Sequence, residues 1–215
     1  APIQVKDNTG TTQYFDKYAN AFQYIAQNGS ADKDYTITNL AEWWWEKGAS
    51  DALKNINSSN AKSLTFSSGE RTDEDGNAGK RYRLRVREQR IHLPSDVPVN
   101  FTDAVMKYAQ GDNAEITNAD GTKSQELVFI KHGGQLTFNG ATAFLRGDND
   151  DLGGVTIYGG EYDNGEKQGA DAVITINTPQ LYLNAVYNFD KLELGKDASV
   201  NVLGDMNHIR GAGYT

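Results

Sequence analysis

A chain of 215 residues with a formal net charge of −8 and a pI near 4.9 lacks the basic balance that phosphate contacts call for, so nucleic-acid binding is not expected. It has no cysteine, which excludes disulfides, thiolate zinc sites and thiol catalysis. Only 38% of its residues are hydrophobic, yet 11 Tyr, 8 Phe and 3 Trp can still fill the core of one large domain.

No apolar run approaches the roughly 18 residues of a membrane span, so membrane insertion is not expected. No charged, apolar signal peptide begins at Ala1. The chain opens at Ala-Pro and stops at Gly-Tyr-Thr without an evident finish. It is therefore expected to be part of a longer protein whose export signal lies outside it.

In chain order, Ile3-Gln4-Val5 is a short lead strand. Tyr18, Ala21, Phe22 and Ile25 recur at three- and four-residue steps, which predicts a helix over 16–28 with Asp16 as N-cap and Asn28-Gly29 as the stop. Tyr35–Leu40 follows as a strand, and Ser50–Ile56 as a short helix or turn. From Ser63 onward short β-prone runs dominate, separated by Gly, Asn and Asp clusters. They are Leu64–Phe66, Tyr82–Val86, Leu127–Ile130, Leu136–Phe138, Val155–Tyr158, Val173–Ile176, Leu181–Leu183, Leu192–Leu194 and Val200–Leu203. The apolar parity shifts between Val86 and Ile91, which predicts a corner around Glu88–Arg90.

The spacing of these runs is regular. Leu136 to Val155 is 19 residues, Val155 to Ile174 is 19, Ile174 to Leu192 is 18, and Leu181 to Val200 is 19. A short fixed period with Gly, Asn and Asp at the corners suits stacked coils, each laying its apolar side chains on those before. The expected fold class is all-β, a right-handed parallel β-solenoid with an N-terminal capping helix. Residues 1–62 would form the cap (strand, helix and first rung) and 63–215 the rungs of the same domain. An evenly spaced β-sandwich is the alternative, although antiparallel hairpins favour tighter turns.

The order of the lead strand, the Phe15-x-x-Tyr18-x-x-Ala21-Phe22 helix and Tyr35–Leu40 resembles a known pattern. So do Leu136-Thr137-Phe138-Asn139-Gly140 and Val155-Thr156-Ile157-Tyr158-Gly159-Gly160. They are similar to the pectate-lyase-like adhesive domains of wall-anchored Gram-positive surface proteins, and to the β-solenoid binding regions of serine-rich repeat adhesins. The resemblance implies a secreted adhesin domain at the bacterial cell surface. Its partner would be a host or plant polysaccharide or glycoprotein glycan, and its parent a larger wall-anchored protein.

The sharpest local feature is Lys80-Arg81-Tyr82-Arg83-Leu84-Arg85-Val86-Arg87. In a strand, Tyr82, Leu84 and Val86 point inward and Arg81, Arg83, Arg85 and Arg87 outward. With Arg90, five of the eight arginines fall within ten residues. Guanidinium groups hold carboxylates and sulfates through paired hydrogen bonds, so this ladder is a candidate site for an anionic glycan. The alternative is that it neutralises acidic loops such as Asp73-Glu74-Asp75. In Trp43-Trp44-Trp45, an extended backbone puts Trp43 and Trp45 on one face and Trp44 on the other. These indoles either stack on sugar rings or lie under the cap.

Arg146-Gly147-Asp148 spells the integrin-binding tripeptide, a weak signal at three residues. The same loop supplies Asp148, Asp150 and Asp151, whose oxygens could hold calcium, although a solvated acidic turn is the default. No other cofactor is expected. Catalysis has little support and no catalytic residue is assigned. His92, His132 and His208 lack metal-ligand spacing. Asp148, Asp150, Asp151, Glu161 and Asp163 could supply an acid pair only if folding sets their separation. The functions open to the chain are thus a glycan-binding adhesin, a polysaccharide lyase or glycoside hydrolase, or a structural stalk.

Overall fold

The structure, a computed structural model, describes residues 1–71, 80–88, 90–108, 127–147, 149–160, 171–203 and 209–212. Its elements run β1 (Ile3–Asp7), β2 (Thr12–Phe15), α1 (Tyr18–Asn28), β3 (Asp34–Asn39), β4 (Trp43–Trp45), α2 (Ala49–Leu53), β5 (Ser63–Ser68) and β6 (Leu84–Val86). They continue with β7 (Arg90–His92), β8 (Val99–Thr102), β9 (Val105–Tyr108), β10 (Leu127–Ile130), β11 (Gln135–Asn139) and β12 (Ala143–Arg146). The last are β13 (Asp151–Leu152), β14 (Gly154–Tyr158), β15 (Ala172–Asn177), β16 (Leu181–Leu194), β17 (Val200–Val202) and β18 (Ile209–Gly211).

The expected all-β, right-handed parallel solenoid is corrected by the strand order. Among the described residues the strands form two sheets, one of 13 strands and one of 5, and both are mixed in direction. In the larger, β1 runs antiparallel to β2 and β3, while β3-β5-β8-β11-β15 are parallel. In the smaller, β4-β6-β9-β12 are parallel and β13 returns antiparallel to β12. Two helices, α1 and α2, complete the described part of the fold.

The 19-residue spacing misleads because residues 19 apart alternate between ladders. Leu136 does not pair with Val155. It lies beside Ile174, two intervals on, whereas Val155 lies between Leu127 and Leu183. Only the last intervals join true neighbours, Ile174 with Leu192 and Leu181 with Val200. Leu181–Leu183 and Leu192–Leu194 are the two ends of one strand. The 14 residues of β16 bridge the β11-β15 ladder and the β10-β14 ladder, which makes them a single sheet.

In-register pairing stacks like on like. Phe66, Phe101 and Phe138 are register partners across β5, β8 and β11. Their rings lie 5.2 and 5.3 Å apart, both stacked. Phe129 and Phe144 join from the other walls, with centroids 5.0 and 6.1 Å from Phe101. Each such pair adds about 0.5–1.5 kcal/mol beyond the burial of its surface. At one end the column continues through Trp45, 5.6 Å from Phe66, to Phe22 and Tyr18 of α1, at 5.2 and 5.1 Å from the Trp45 ring. The helix therefore seals the apolar column with its Tyr18, Ala21, Phe22 and Ile25 face.

That helix starts at Tyr18, two residues later than the sequence suggests, and Asp16 does not cap it. Lys17 occupies the N-cap position without a side-chain bond. The Tyr18 and Ala19 amides instead donate to the Glu46 carboxylate at 3.0 and 2.7 Å, so the cap comes from 28 residues downstream. Gly29 ends the helix for lack of room rather than for a left-handed turn. Its φ is −74°, but a Cβ there would strike the Asn60 carbonyl oxygen.

Among the described residues, one charged side chain is completely shut off from solvent. Lys131 is fully buried, and its Nζ donates to the carbonyls of Pro94, Val97 and Gly133 at 2.7, 3.0 and 2.9 Å, with Ser95 at 3.2 Å. The ammonium thereby ties residues 94–97 to the turn between β10 and β11. Burial pulls its pKa down to about 8, against the opposing pull of Asp96.

Two outcomes follow for Lys131. Lys131→Met leaves these carbonyls without their donor and should lower unfolding free energy by about 3 kcal/mol or more, measured by urea denaturation at pH 7. The unfolded lysine holds its proton to about pH 10.4 whereas the folded one releases it near 8, so the unfolded state binds more protons in that window. The native chain should accordingly gain stability over Lys131→Met as pH rises from 8 to about 10.

Candidate functional site

The smaller sheet organises the basic residues. Its register rows alternate between core and solvent. Leu84, Met106 and Phe144 are partners and all buried, as are Val86 and Tyr108. Between them runs an outward row, Trp44–Arg85–Lys107–Leu145. Because Leu84 and Val86 must face the core, Arg83, Arg85 and Arg87 are forced to the outer side.

Arg83 is the most heavily engaged of them. Its Nε lies 3.3 Å from both Glu42 oxygens, its amide donates to Glu42 at 3.1 Å, and its Nη1 donates to Asp150. Arg71 reaches the same Glu42 at 3.1 Å, and Lys107 reaches Asp150 at 2.8 Å. Burial alone would raise the Asp150 pKa, but the Lys107 ammonium and the Arg83 guanidinium outweigh it and hold the carboxyl below its ordinary range. Glu42 and Asp150 thus lock Arg83 into the fold, and the loop before β13 is fixed to β6.

Arg81 is held differently. It donates to the Ser68 carbonyl at 2.7 Å, but its nearest carboxylates among the described residues, Asp103 and Glu70, stand at 3.5 and 3.7 Å. These contacts are too long for strong hydrogen bonds. Arg85 and Arg87 make no ion pair among the described residues. They lie over the Trp44 indole, with guanidinium carbons 5.1 and 4.1 Å from the ring centroid.

The tryptophans part as alternation demands. Trp45 is buried in the core, and its indole N–H donates to Glu88 at 2.8 Å. Trp43 is half-buried and donates to the Asp16 carbonyl at 2.9 Å. Trp44 is 39% exposed beside the arginines. Arg90 lies past the corner at Glu88, at the start of β7 in the larger sheet, and leaves the row.

A cleft of about 380 Å³ opens beside β6, within the range of ligand-binding pockets. Val105, Ala141, Ala143 and Leu145 give its lining an aliphatic part. Arg71, Lys80, Arg81 and Arg83 supply its basic part, and Asp150 and Gln180 complete the lining. Aliphatic surface and cations in one cleft can receive a ligand with an apolar face and anionic groups.

Asp148, Glu161, Asp163, His208 and Asp73-Glu74-Asp75 lie outside the described residues. Asp150 already serves two cations, which a calcium ion would have to displace, and Asp151 is exposed at the start of β13. Among the described residues no cluster of three or more metal-binding side chains occurs, and no helix is long and apolar enough to cross a membrane. The sequence reading missed Glu42, Arg71, Lys107 and Gln180. Lys107 could have been found by its alternation with Met106 and Tyr108, whereas Asp150 meets Arg83 from 67 positions away with no local signal.

Comparison with known proteins places the chain beside none of them, since no family model, no curated protein and no solved structure matches.

Because the folded Asp150 has a lowered pKa, its contribution is present above the unfolded value and is lost as pH falls through the folded one. Asp150→Asn should therefore lower the urea midpoint at pH 7, and the gap to the native chain should close as pH drops below about 4. An unchanged gap at acid pH would show that Asp150 carries no such charge-dependent role.

Proposed function

We propose that this chain is a binding module for an anionic glycan, received in the cleft beside β6 with its acidic groups against Arg81 and Lys80. The observation that carries the reading is the difference between Arg81 and Arg83. Arg83 is saturated by Glu42 and Asp150, but the carboxylates near Arg81 stop at 3.5 and 3.7 Å. A ligand carboxylate or sulfate that closes to hydrogen-bonding distance there gains an interaction that the fold does not supply. The aliphatic part of the lining suits the C–H face of a sugar ring, and the positions of Arg83 and Asp150 are set before the ligand arrives. Little conformational freedom is then lost on binding.

An adhesin at a bacterial surface is the setting we propose, on the likeness of sequence pattern alone. Nothing in the cleft favours catalysis. Asp150, the carboxylate that lines it, is held ionised by two cations and so is a poor proton donor at neutral pH.

Calorimetric titration with a short oligogalacturonate and with a neutral gluco-oligosaccharide of equal length tests this. The uronate alone should bind, and its affinity should fall as salt rises from about 0.05 to 0.5 M. Arg81→Ala should weaken binding by about tenfold or more, as expected for loss of a charge-assisted hydrogen bond. Equal binding of the neutral sugar, or affinity indifferent to salt, would overturn the reading. Release of reducing ends or unsaturated uronate would replace it with the hydrolase or lyase alternative, and no ligand at all would leave the stalk.

A further inference from the structure

We infer that the ligand is a linear polyanion spanning two stations along residues 80–87, the cleft at Lys80 and Arg81 and a second, open station made by Arg85, Arg87 and Trp44. This rests on the reading above and extends it from a single acidic group to a repeating one.

The geometry follows from the strand. Side chains on one face of a strand recur every second residue, about 6.6 Å apart, so Arg85 and Arg87 follow one another closely at the end of β6, and Arg81, three residues before the strand, lies at most about 20 Å from Arg87. Arg83, bound on both sides by Glu42 and Asp150, divides that reach into two. Beyond it Arg85 and Arg87 have no carboxylate partner among the described residues, so their charge is not cancelled locally as that of Arg83 is. Trp44 holds both guanidinium groups over its ring, at 5.1 and 4.1 Å. That leaves two long side chains with less freedom to lose when an anion binds them. Trp44 itself stays 39% exposed, which a core tryptophan would not.

A monomeric acid can use only one station. A chain with acidic groups at regular intervals can use both, and its second contact forms at the high effective concentration set by the first. Carboxylated and sulfated glycans share this chemistry.

The test is a length series of oligogalacturonates, from dimer to dodecamer, with sulfated dextran fragments of matching lengths. Both are titrated against the full chain and against Arg85→Ala/Arg87→Ala. Both arginines are solvent-facing, and the melting temperature of the variant verifies that it folds. Affinity should rise tenfold or more between the shortest oligomers and those long enough to reach Trp44, then level off. The double variant should lose that rise while keeping the affinity of the native chain for the shortest oligomers. A gain with one series identifies the acid, carboxylate or sulfate, and a gain with either supports the inference. Affinity that is flat with length in both series, or a double variant that weakens short and long oligomers alike, overturns it and leaves the single-site reading intact. If no oligomer of any length binds, the binding reading itself has failed.

Discussion

Leu84 and Val86 have to be buried, and that constraint fixes the direction of the arginines around them. Both residues belong to the same core as the Phe66-Phe101-Phe138 column. A two-residue period allows no compromise, because a slip of one position would drive the guanidinium groups into that column. The cost of desolvating unpaired charges there is far larger than any surface interaction they could gain in return. Burial of two aliphatic side chains thus holds a basic face on an acidic protein.

The face is held as well as aimed. Glu42 and Asp150 clamp Arg83 from opposite sides, and Lys107 adds a third charge to the same network. Glu88 anchors the far end of β6. Its carboxylate accepts from the Trp45 indole and from the amides of Gly48 and Ser50, so β4 and α2 are bound to the corner where the chain leaves the smaller sheet. A buried polar seam supports the other end. Ser68 bonds Asn39 at 2.9 Å and receives the Val105 amide at 3.0 Å, while Thr142 accepts from the Ala104 amide at 3.1 Å. These bonds satisfy backbone groups where the chain turns between sheets and leave no penalty for their burial.

Local features of the fold could be read from the residues themselves. The apolar stripe of α1, the alternation in β6 and the separation of Trp44 from Trp43 and Trp45 depend only on period, and period is written in the sequence. Pairing partners are another matter. Leu136 finds Ile174 and Val155 finds Leu183, because the chain moves from one ladder to another between them. An equal spacing of apolar triplets records how often strands occur and not which strands meet. The helix cap from Glu46, the carbonyl cage of Lys131 and the meeting of Arg83 with Asp150 are hidden for the same reason. Each joins segments whose proximity exists only after the sheets have formed.

Alternation through Leu84–Val86 turns Arg85 and Arg87 outward beside Trp44, and the proposed ligand would touch these three residues together with Arg81 in the cleft. Side-chain NMR resonances report on that contact directly, through the Nε–H groups of the arginines and the indole N–H groups of the three tryptophans. Titration with a long oligogalacturonate should shift Arg81, Arg85, Arg87 and the Trp44 indole together. The indoles of Trp43 and Trp45, bonded to Asp16 and Glu88, should stay in place. Shifts confined to other parts of the surface, or a Trp45 indole that moves with Trp44, would contradict the account.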